Sequence, residues 1–106
     1  MVRTQVEILS LIDIQFSGKI WFWHGPPPWF YVTVPPKQSR DLNAISGLAT
    51  YGYGVIPVQV RIGQTEWKTS LFPKDGRYLV PIKACVRAAE NLAEGDKVAV
   101  RLAVRL

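Results

Sequence analysis

From Ile12 onward apolar and polar side chains alternate, with Ile12, Ile14, Phe16, Ile20 and Phe22 on one side and Asp13, Gln15, Ser17 and Lys19 on the other. A period of two sends successive side chains to opposite faces of an extended chain, so this spacing predicts a long, half-buried strand. Gly18 falls on the apolar side, where a missing side chain marks a bulge or bend in a curled sheet. At Trp21 and Trp23 the polar side turns aromatic. His24-Gly25 and Pro26-Pro27-Pro28 then stop the pairing, and Trp29 to Val34 resumes an extended pattern. The segment WFWHGPPPWFYVTV therefore predicts a strand, a proline-stiffened turn and a second strand.

Pro35-Pro36 ends that strand, and Leu42 and Ile45 stand at helical spacing in the polar segment 37–46, which predicts a short helix or turn. GLATYGYG, residues 47–54, holds three glycines and predicts a connection. Val58, Val60 and Ile62 alternate with Gln59 and Arg61, Gly63-Gln64 makes a turn, and Thr65 to Phe72 pairs back as a hairpin. Pro73-Lys74-Asp75-Gly76 predicts the next turn, and Tyr78 to Ile82 a short strand. Ile82, Cys85, Val86 and Ala89 then fall at i, i+3, i+4 and i+7, as on the apolar side of a short helix that Asn91 would end. After Glu94-Gly95-Asp96 comes the cleanest alternation of all, with Val98, Val100, Leu102, Val104 and Leu106 inward and Lys97, Arg101 and Arg105 outward.

Six half-apolar strands and one or two short helices predict a mainly β chain whose sheet curls and closes into a small barrel, since an open sheet would leave unpaired edges. A length of 106 residues suits one domain and allows roughly two-thirds of the unfolded chain's surface to leave water. No repeat or low-complexity linker divides it, so residues 1–106 are expected to form a single barrel domain. The one cysteine, Cys85, allows no internal bridge, which fits a reducing cytoplasm, and Glu7 and Asp13 interrupt the N-terminus before an apolar run reaches signal-peptide length. The charge-free stretch 20–36 approaches the length of a membrane helix, but Pro26, Pro27 and Pro28 in its middle argue against a span. A net charge of +5 raises nucleic acid or another polyanion as a partner.

Four phrases in order, WFYVTVP at 29–35, WKTSLFP at 67–73, DGRYLVPIK at 75–83 and VRAAENLAEGDKVAVRL at 86–102, resemble an uncharacterised bacterial family, domain of unknown function nineteen hundred and five. The resemblance covers about residues 10–106. It implies a small barrel of the double-split kind, related in architecture to swapped-hairpin transcription factors and antitoxins, and it carries over no catalytic residue. The triple proline and dense tryptophan depart from the ordinary loop expected before the W-aromatic-V-x-V-P strand. LAEGDKVAV at 92–100 is also similar to a phrase of the swapped-hairpin DNA-binding proteins; its Gly-Asp turn and alternating valines speak for fold, from which function follows only by analogy.

Candidate chemistry is sparse. His24 has no second histidine to share a metal and no evident nucleophile to serve, so it is expected to be a structural or exposed loop residue. Cys85, on the predicted apolar side of its helix, is expected to be a buried, inert thiol. Glu94 and Asp96 belong to a turn, and GYG before Val55 lacks the Lys-Ser/Thr of a phosphate loop. No enzyme, cofactor or metal site is therefore expected. Trp21, Trp23, Trp29, Tyr31 and Trp67 fall largely opposite the aliphatic rows, either as a second packed layer or as the lining of a groove. With Arg61, Lys68, Lys97, Arg101 and Arg105 they suit stacking on bases while cations follow the backbone, unless those cations only keep edge strands apart. A second reading gathers Trp21, Trp23, His24, Trp29 and Tyr51 into a small-molecule pocket at the barrel mouth. A third makes the exposed aromatics a homodimer contact.

Overall fold

The computed structural model describes residues 13–26, 28–49 and 54–105. Its elements are β1 (Asp13–Trp23), β2 (Trp29–Thr33), α1 (Pro36–Ala49), β3 (Ile56–Ile62), β4 (Thr65–Lys74), β5 (Arg77–Pro81), α2 (Ala84–Ala89) and β6 (Lys97–Val104). The strands form a closed antiparallel barrel in the order β1-β2-β5-β4-β3-β6. Two strands are each shared between two half-sheets. β1 pairs with β6 from Asp13 to Lys19 and with β2 from Ile20 to Trp23, while β4 pairs with β3 up to Leu71 and with β5 from Phe72.

Gly18 stands where β1 passes from one half-sheet to the other. A Cβ there would lie 2.8 Å from Val32 Cγ1, so the missing side chain is what lets β2 close over the corner. Inside, the apolar rows of the strands meet: Phe16 and Ile20 of β1, Val58, Val60 and Ile62 of β3, Val80 of β5 and Val98, Val100, Leu102 and Val104 of β6 share one core. Each fully buried aliphatic side chain stabilises the fold by about 1.5–3 kcal/mol.

Helix α1 starts on Pro36, whose fixed φ suits a first helical position, and buries Leu42 completely at one end of the barrel. It runs to Ala49, three residues beyond the predicted segment. Ser39 Oγ donates to the Val34 carbonyl at 3.0 Å, which anchors the first turn to the end of β2. Among the described residues, no helix is long and apolar enough to cross a membrane.

The two-residue loops follow their sequences. Gly63, with φ +59°, opens the β3–β4 turn, and Asp75-Gly76, both at positive φ, join β4 to β5 in the geometry that matches the twist of a hairpin. Pro73 and Lys74 thus extend β4 instead of forming the turn.

Helix α2 is shorter than the predicted span 82–92, and Asn91 ends it at φ +53°. Only Val86 of this helix is buried, and Cys85 is exposed, contrary to the expected buried thiol. A six-residue helix has too few turns to present a continuous apolar stripe. Val86 sets its rotation, and Cys85, one residue away, points to solvent.

Just beyond α2, Glu90 Oε2 accepts hydrogen bonds from the Gln64 amide at 3.3 Å and the Thr65 hydroxyl at 2.6 Å. Its carboxylate fills the space a Cβ on Gly63 would need. Replacing Glu90 by alanine is expected to cost about 1–2 kcal/mol, the worth of charge-assisted bonds at a partly exposed site. A lowered urea midpoint and faster exchange of the Gln64 amide would show it; an unchanged midpoint would remove Glu90 from the turn's support.

Candidate functional site

Residues opposite one another in an antiparallel ladder project to the same side. The ladders align Trp21 with Tyr31 and Pro81, Trp23 with Trp29, and Thr33 with Leu79 and Phe72. These side chains form the outer face of the half-sheet built from the end of β1, β2, β5 and the end of β4. The exposed large hydrophobics of the described residues, Trp23, Trp29 and Phe72, all stand on this face, at 37%, 42% and 44% exposure. Beneath them Tyr31 and Leu79 are buried, though neither joins the barrel core.

The rings are held in place. Trp21 Nε1 donates to Thr33 Oγ1 at 2.9 Å, and Tyr31 lies 5.7 Å from the Trp21 ring and 6.0 Å from that of Trp23. Desolvation raises the Tyr31 phenol above its ordinary pKa, so it remains a neutral hydroxyl across the physiological range. Lys74 Nζ sits 5.0 Å from the centre of the Trp23 ring and 3.6 Å from Asp75. A shallow cleft of about 300 Å³ runs between Trp29, Tyr31, Phe72, Pro81 and Lys83.

The opposite side of the β1–β2 hairpin is separate. There Phe22 meets Phe30 at 4.8 Å, His24 stands edge-on to Phe22 at 4.9 Å, and Arg87 of α2 covers Phe30 at 3.9 Å. His24 is exposed but parted from the tryptophans. The barrel-mouth pocket of Trp21, Trp23, His24, Trp29 and Tyr51 is thus not assembled as expected, because alternation sends His24 to the other side; Tyr51 lies outside the described residues. Trp67 departs further. It is paired with Val60, is 8% exposed and belongs to the barrel core.

All five predicted polyanion contacts, Arg61, Lys68, Lys97, Arg101 and Arg105, are exposed. The ladders set Arg101 opposite both Arg61 and Gln15, Lys68 opposite Gln59, and Lys97 opposite Lys19, on the half-sheet of β6, β3 and the first parts of β1 and β4. Two cations directly opposed need countercharge, and Arg101 and Arg61 each have a carboxylate beside them. Asp13 takes Arg101 through two nitrogens, with contacts of 2.6, 3.0 and 3.2 Å, which holds that guanidinium above its ordinary pKa. Glu66 stands 3.7 Å from Arg61, whose Nε donates to the Gly63 carbonyl at 3.1 Å. The basic stripe is therefore interrupted by carboxylates, and it occupies the other half-sheet from the tryptophans. Stripe and rings do not make one surface.

The family model described as a domain of unknown function, DUF1905, matches residues 16–102. The chain belongs to this family. No curated protein matches the sequence significantly. The matched DUF1905 segment contains the whole aromatic face, from Trp21 to Lys83, whereas Asp13 and Arg105 of the basic face fall outside it. Phe72, Lys74 and Lys83 were absent from the residues singled out by sequence. The signal for Phe72 was the Asp-Gly pair: a two-residue loop at Asp75-Gly76 places Lys74 opposite Arg77 and Phe72 opposite Leu79.

Proposed function

We propose that this DUF1905 domain is a non-catalytic cytoplasmic binding module that presents its aromatic half-sheet to single-stranded nucleic acid. The observation that supports this reading is the gathering of Trp23, Trp29 and Phe72 on one face, with Lys74 and Lys83 beside them. Exposed rings on a sheet stack on unpaired bases of any sequence, and nearby ammonium groups follow the phosphates. In register on this face, among the described residues, there is no carboxylate; Asp75, in the loop that follows Lys74, lies 3.6 Å from its ammonium group.

Fluorescence anisotropy with labelled single-stranded and duplex oligonucleotides, at about 50 and 200 mM salt, tests the reading. Single strands are expected to bind in preference to duplex, and Trp29→Ala to weaken binding about tenfold or more, since each stacked base contributes roughly 1–3 kcal/mol. Arg101→Ala, on the other half-sheet, is expected to leave affinity nearly unchanged. No saturable binding at low salt overturns the proposal. So does a mass that doubles with protein concentration and is returned to monomer by Trp29→Ala, because the face would then be a self-contact.

A further inference from the structure

A second cleft, of about 440 Å³, opens between α1 and the β4–β5 hairpin. Two arginines, Arg40 of the helix and Arg77 of β5, line it, and no carboxylate does. The ion pairs among the described residues engage Arg61, Lys74 and Arg101, and neither of these two guanidiniums.

The site is built, not incidental. Arg77 Nε donates to the Val34 carbonyl at 2.8 Å, and that oxygen also receives the Ser39 hydroxyl, so one edge of the guanidinium is fixed against the start of α1. Nε–H is one of five donors on an arginine, and the terminal nitrogens remain for another acceptor. The floor is rigid: Ser39 is 1% and Tyr78 5% exposed, and the Tyr78 hydroxyl reaches across to Asn43 Oδ1 at 3.5 Å. The rim is open at Gly76, where a Cβ would meet nothing within 4 Å.

We infer that this cleft binds a small organic phosphate monoester. Two guanidiniums without a carboxylate match a dianion, and arginine's planar fork suits phosphate oxygens. The volume lies in the range of sites for small organic molecules and exceeds what a bare anion fills. Pro73 and Ala44 supply an apolar wall for the carbon skeleton.

Titration of the ¹⁵N-labelled protein with glycerol 3-phosphate at low salt tests the inference, with inorganic phosphate, acetate and glycerol as the other arms. Glycerol 3-phosphate is expected to shift the amides of residues 39–44 and 76–78 saturably and to bind more tightly than inorganic phosphate, while acetate and glycerol have no effect. Arg40 is exposed on α1, so Arg40→Ala is expected to keep the fold and weaken binding about tenfold, the loss of one charge-assisted contact. Arg61→Ala, on the far half-sheet, is expected to leave it unchanged. Absence of saturation up to about 10 mM, beyond the range of weak specific sites, overturns the inference. Acetate binding as tightly as the phosphates does so too, as do shifts centred on Arg61 and Arg101.

Discussion

Trp67→Ala is expected to remove about 3–5 kcal/mol of stability, the cost of deleting a large aromatic side chain from a packed core. Trp67 is 8% exposed, lies across from Val60 and shares the core with Leu71 on its own strand. Few other residues of β4 fill that volume, since Glu66 and Lys68 on either side of it face water. The indole Nε1 is buried without a hydrogen-bond partner. Trp67→Phe, which removes that unpaired donor along with part of the ring, is therefore expected to cost far less than alanine. Trp29→Ala, at a residue 42% exposed, is expected to stay within about 1 kcal/mol of the parent protein. Urea unfolding of the three variants checks all of this. Equal losses for Trp67→Ala and Trp29→Ala would contradict the placement of one ring inside the barrel and the other outside.

The difference between those two tryptophans shows which features were legible from the residues alone. The long first strand, the last strand and the closed six-stranded barrel follow from alternation, because a period of two on a curled sheet leaves only one inward row per strand. The same period held the answer for Trp67: flanked by Glu66 and Lys68, it is the apolar member of a half-polar stretch. Residue type groups it with Trp21 and Trp23, whereas strand phase turns it into the core. What alternation does not carry is which strands become neighbours. The order β1-β2-β5-β4-β3-β6 separates the tryptophans from the basic row, although the chain interleaves them. Arg40 and Arg77 belong to no motif, and only the packing of α1 over β5 gives them a common cleft. Cys85 faces solvent for another reason, since four apolar residues at helical spacing do not make a stripe when the helix has six residues.

At the barrel's corner a single hydrogen in place of a side chain decides whether the sheet closes, and Gly18→Val is expected to destabilise the domain by about 3 kcal/mol, at the upper end of the usual cost of overpacking. Its Cβ alone would come within 2.8 Å of Val32 Cγ1 and 3.6 Å of the Thr33 carbonyl oxygen. Val32 has no room to yield, being fully buried and tied in register to both Ile20 and Val80. Relief must then come from separating β1 and β2, which also carry Trp21, Trp23, Trp29 and Tyr31. A local clash thus becomes a disturbance of the aromatic face, and oligonucleotide binding is expected to weaken along with stability. The milder pair Gly18→Ala and Val32→Ala isolates the contact. Each alone is expected to destabilise, the first by crowding and the second by leaving a cavity. Together they are expected to lose clearly less than the sum of the two, because the new methyl occupies space the valine has vacated. A double-mutant cycle in urea measures that coupling. Strict additivity, or a Gly18→Ala variant as stable as the parent, would show that the corner closes for some reason other than the missing side chain.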